Sequence, residues 1–167
     1  MNAHRLHALA AAAALAAACA MTGTPALAAG GHAHDGHGSA PAKLALDHGK
    51  KWSTDDTLRS GMDRIRGLVE PQLSAAHADK LSPADYASVA AKVENEVAGI
   101  VANCKLEPKA DAMLHLVIGN IGAGTEAMAG KDRKATPTQG LVKVAAAVNS
   151  YGRYFEHPGF RPIALGH

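Results

Sequence analysis

The chain has 167 residues, enough for one domain, with 17 Lys and Arg against 15 Asp and Glu. That near balance argues against a nucleic-acid partner, which needs a clustered basic face. Two cysteines and ten histidines make the thiols and imidazoles the groups to follow.

Residues 1–28 read as a secretory signal peptide. MNAHR is short and basic, HALAAAAALAAACAM is apolar, and Ala26 and Ala28 are the small residues before a cut. Cys19 raises the lesser alternative of a lipoprotein, although Leu15-Ala16-Ala17-Ala18 fits that pattern poorly. No other apolar run approaches the ~18 residues of a membrane helix. The expected location is the periplasm. Cleavage removes Arg5, no acidic residue, and Cys19. Cys104 is then the one thiol left, so no intramolecular disulfide can form in an oxidising compartment.

Residues 29–52 are expected to be a flexible arm, rich in Gly, Ala and His. The tract GGHAHDGHG holds His32, His34 and His37, with His48 further on. Such tracts bind Cu(II), Zn or Ni. A cut after Ala29 instead of Ala28 would leave Gly30-Gly31-His32 as a square-planar Cu(II) or Ni(II) terminus. The bland reading is a solubilising tail.

Residues 53–160 are expected to form four helices. Ser53 is read as the first N-cap, with Asp55 and Asp56 in the first turn. Leu58, Met62, Ile65, Val69 and Leu73 make one helical face, and Pro71 should kink or end it. Ser82-Pro83-Ala84-Asp85 starts the second helix with proline at N1. Its face is Tyr86, Val89, Val93, Val97, Ile100 and Cys104, which places the thiol on the apolar stripe in the last turn. Glu107-Pro108 opens the third helix, with Leu114, Val117, Ile118, Ile121 and Met128 as its core face. Ala112, Leu116, Gly119, Ala123 and Ala127 make its opposite side apolar too. That side is either a homodimer seam or a plain alanine-rich surface. Thr136-Pro137-Thr138-Gln139 is a capping box for the fourth helix. Leu141, Val144, Val148, Tyr151 and Phe155 form its face, and His157-Pro158-Gly159 stops it. Residues 161–167 are left as a tail.

Four helices with short connections and no alternating apolar runs predict an all-α fold, an up-down-up-down four-helix bundle. That topology gathers Cys104, Met113, His115, Met62 and His157 toward one end. Met113 and His115 would lie ~8–10 Å in, and Met62 ~13 Å. Thiolate and thioether are soft and suit Cu(I), while imidazole suits copper and zinc. Each residue has a plainer reading. Cys104 is a small buried hydrophobe, and the methionines are core filler. His115 is an exposed partner of Asp111, four residues earlier. His157 caps the last carbonyls. No nucleophile elbow, phosphate loop, H-E-x-x-H or catalytic carboxylate pair is present, so enzymatic activity is not expected.

The segment Met113-Leu114-His115-Leu116-Val117-Ile118-Gly119-Asn120-Ile121 is similar to the third helix of the periplasmic b-type four-helix-bundle cytochromes. Residues 52–157 resemble that family in helix count, in export, in a Met near the start of helix one and in a His near the end of helix four. The resemblance implies non-covalent haem b held by Met62 and His157. Cys104 is not part of the family pattern, and without C-x-x-C-H covalent haem is excluded. The leading expectation is a copper-binding protein for buffering, transport or delivery, with Cu(I) in the bundle and Cu(II) on the arm. A haem b electron-transfer protein is the alternative, and a cofactor-free dimeric module using the third helix is the next.

Overall fold

The computed structural model describes residues 43–166. The expected signal peptide and His32, His34 and His37 lie outside the described residues. The described chain is all-α, with four long helices, α1 (Asp56–Val69), α3 (Pro83–Asn103), α4 (Pro108–Met128) and α5 (Pro137–Tyr154), and one short helix, α2 (Leu73–His77). Pro71 ends α1 as the chain tightens into a 3-10 turn at Glu70–Gln72 before α2.

Local chemistry sets the helix starts. Ser82 and Thr136 each accept from the backbone N–H three residues on, and Asp85 and Gln139 reach back to complete the boxes. The start of α1 differs from expectation. Asp55, not Ser53, is the N-cap, accepting from Leu58 N–H at 2.8 Å. The residues before it are tied instead to the far end of α5. Trp52 N–H donates to Tyr154 O, Glu156 N–H donates to Trp52 O, and Thr54 Oγ1 donates to Glu156 O at 2.5 Å.

The expected helix faces become the core. Leu58, Met62, Ile65, Val69, Val93, Leu114, Val117, Ile121, Met128, Leu141, Val144, Val148, Tyr151 and Phe155 are buried. Helix α1 packs on α3 and α5, α3 on α4, and α4 most extensively on α5. The last pair touches backbone to backbone. A β-carbon on Gly140 would stand 2.6 Å from Gly124 O and 2.9 Å from Ala127 Cβ. Ala127, expected on an outward face, is therefore covered by α5 of its own chain, while Gly119 on the same stripe is exposed.

Two segments outside the helices are also held. Residues 47–50 form a turn with Asp47 and Lys50 paired through both backbone bonds, and Trp52 Nε1 donates to Ala45 O at 2.7 Å. After α5 the chain folds back. Ile163 is buried, and the Asn149 side chain bonds both its N–H and its C=O. No helix among the described residues is long and apolar enough to cross a membrane.

Candidate functional site

Three chain segments meet at one place: the start of α1, the α3–α4 turn and the end of α5. Asp55 joins the first two. Its Oδ1 caps Leu58, and its Oδ2 accepts from Lys105 N–H at 2.6 Å. The Trp52, Thr54 and Glu156 bonds join the third.

Cys104 lies in the α3–α4 turn. It is the C-cap of α3 rather than part of its last turn, with extended backbone and its N–H still donating to Ile100 O at 2.8 Å. The thiol is free, half-buried and packed against the core edge. Burial pushes its pKa up, and the nearby charges of Asp55 and Asp111 push the same way, against its backbone hydrogen bond. The thiol therefore stays protonated at neutral pH, a weak nucleophile that oxidises slowly.

Met113 is half-buried, also against the core edge. His115 does not turn inward. Its side chain is 59% exposed, with Nδ1 2.9 Å from Asp111 O and 3.4 Å from Asp111 Oδ2. The Asp111 carboxylate thus raises the thiol pKa and touches the imidazole. Met62 is fully buried in the hydrophobic core. No group of three or more His, Cys, Asp and Glu side chains able to hold a metal occurs among the described residues.

His157 is placed beyond α5, as its neighbours Phe155 and Pro158 suggest, but it folds inward. Only 6% of its side chain is exposed. Tyr151 Oη lies 3.0 Å from Nδ1, and the imidazole packs on Tyr151 and Phe160 with ring centres 5.7 and 5.4 Å away. Burial pushes the Tyr151 phenol far above its usual range, so it remains a neutral hydroxyl. Nε2 faces Asp63 Oδ2 at 3.4 Å. The sequence reading missed Tyr151 and Asp63 as partners of His157. The six-residue step from Tyr151 back to His157 crosses a helix end, where helical spacing no longer predicts contact.

His157 and Asp63 line a polar cleft of about 510 Å3 with Thr54, Asp56, Arg59, Ser60 and Glu156. Arg59 is turned to Asp56 and to the carbonyl and hydroxyl of Thr54. A second, apolar groove of about 390 Å3 runs between α3 and α4, lined by Val97, Val101, Ile118 and Ile121, with Val101 54% exposed. Compared with family models, with curated proteins and with solved structures, the chain has no match in any of the three.

Proposed function

We propose that the chain is an exported, periplasmic copper-binding protein that buffers, carries or delivers the ion. Its architecture in this reading is an up-down-up-down four-helix bundle with a His-rich arm. The cyclic packing of α1, α3, α4 and α5 supports that topology, as do the short α3–α4 and α4–α5 connections. It puts the start of α1, the end of α3, the start of α4 and the end of α5 at one pole.

The observation that carries the copper reading is the half-buried Cys104 thiol at that pole, sharing Asp111 with His115. Cys104 and Met113 are the soft ligands, and they suit Cu(I). His115, on α4, would be the imidazole ligand and would have to turn from Asp111 to serve. Copper would replace the thiol proton, and in its absence the raised thiol pKa guards against oxidation. His32, His34 and His37 on the arm would take up Cu(II).

The test is competition for Cu(I) between the full chain and a colorimetric chelator. Cys104→Ser should weaken binding beyond the ~10–100-fold loss typical of outer-shell changes. A variant that binds Cu(I) as tightly as the parent would refute the assignment.

The haem b reading uses Met62 and His157. It requires an interior now filled by Leu58, Ile65, Val148 and Phe155 to open, and His157 to give up Asp63. A haem-dependent absorption band abolished by Met62→Leu would favour it. A homodimer through α4 would cover Leu116 and the α3–α4 groove, and Leu116→Glu would then release monomers in sedimentation.

A further inference from the structure

Helix α4 keeps one side out of the bundle. Ala110, Leu114, Val117, Ile121 and Gly124 are buried on its inner side. On the outer side Lys109, Ala112, Leu116, Gly119, Ala123 and Glu126 follow at steps of 3, 4, 3, 4 and 3 residues, the period of a helix-pairing seam. They cover ~25 Å of helix at ~1.5 Å per residue. Lys109, Ala112, Gly119 and Glu126 are exposed, and Leu116 and Ala123 are partly so.

Charge on this face is confined to its two ends, where it has opposite sign. Neither Lys109 nor Glu126 forms an ion pair among the described residues. Asp111, the one charged residue of α4 between them, lies off the face beside His115. A partner of either net sign would therefore meet a like charge at one end. A second copy running parallel would set Lys109 on Lys109. A second copy running antiparallel sets Lys109 on Glu126 at both ends, so the charges are complementary only to themselves reversed. The same two-fold operation matches the interior of the face. Ala112 falls opposite Ala123, and Leu116 opposite Gly119. A β-carbon on Gly119 would meet nothing within 4 Å, so the glycine leaves a hole for the leucine that an alanine would only narrow.

We propose that the outer face of α4 pairs antiparallel with its own copy in an isologous dimer, with Lys109 on Glu126 at each end and Leu116 seated on Gly119 at the middle. The inference rests on the homodimer alternative, to which it adds orientation and register, and it is independent of the copper reading.

The test is sedimentation equilibrium of the full chain beside Lys109→Glu, Glu126→Lys and the double variant. Both side chains are exposed, so the variants should fold normally. Each single reversal turns both end pairs of the dimer from attractive to repulsive, and should raise its dissociation constant roughly 10-fold at low salt. The double variant should return it to within about 3-fold of the parent. An equal mixture of the two single variants should form heterodimers tighter than either homodimer, because every end pair is then opposite in sign. Cys104→Ser should dimerise as the parent does, which separates the seam from the thiol site. Dimers indifferent to every reversal would overturn the antiparallel register while leaving a dimer in place. A chain that stays monomeric at millimolar concentration would overturn both.

Discussion

The α4–α5 seam and the junction of α1, the α3–α4 turn and the α5 end are built in opposite ways. The seam is backbone on backbone. Gly124 and Gly140 let the helices approach so closely that no side chain fits between them. The junction is held by side chains reaching backbone groups, Thr54 to Glu156 and Asp55 to Lys105. Close packing leaves a region one arrangement and no room for a ligand. Side-chain bracing leaves polar atoms and a cleft beside it. Of the chemistry-bearing groups, Cys104 and His157 lie in the second kind of region, with Asp63 facing His157, while His115 is exposed on α4 beside Asp111.

Substitutions can break that contrast. Gly140→Val should be the most damaging, because its β-carbon alone would stand 2.6 Å from Gly124 O and 2.7 Å from Met128 N. Overpacking of this kind costs about 3 kcal/mol, read as a lowered urea midpoint. Asp55→Ala removes a helix cap and the Lys105 bond together, and should cost about 1–2 kcal/mol. Gly119→Ala sharpens the comparison from the other side. A β-carbon there meets nothing within 4 Å, so the helix should gain roughly 0.5–1 kcal/mol in thermal unfolding. A clear loss instead would show that this face is covered. His115→Ala should change stability by less than ~0.5 kcal/mol, since the ring is exposed and bonded to its own helix.

Cys104 supplies a pH test. Its folded pKa is raised, so the native state keeps the proton that the unfolded chain would release. The stabilisation is complete below the ordinary thiol value and is lost as pH climbs through the raised one. As pH rises past the ordinary thiol value toward the raised one, the parent should lose stability relative to Cys104→Ser. Alkylation of native Cys104 should likewise have its midpoint above that of an unfolded thiol.

Much of the helical frame was legible in the sequence because its signals are local. Leu58, Met62, Ile65 and Val69 recur at helical spacing and are all buried. Ser82 and Thr136 cap through residues three positions away. The junction was legible only in part. Ser53 looked like the cap because it precedes the acidic turn, but the binding of Thr54 to Glu156 delays the helix until Asp55. The close approach of Gly124 to Gly140 depends on which two helices are neighbours, which periodicity does not encode. Ile163 and Asn149 meet because the chain folds back after Gly159, at positive φ. Among the candidate ligands, the exposed setting of His115 followed from Asp111 four residues earlier. The burial of His157 did not follow, because its contacts come from a loop closing over Tyr151 and toward Asp63.

The central claim is that this chain binds copper through Cys104. It is tested most directly by the metal content of the protein isolated from its native host without tag or chelator, beside Cys104→Ser prepared identically. The account predicts bound copper in the parent beyond what the arm alone retains, and loss of that fraction in the variant. Equal copper in both, or none in either after copper is supplied, would contradict it.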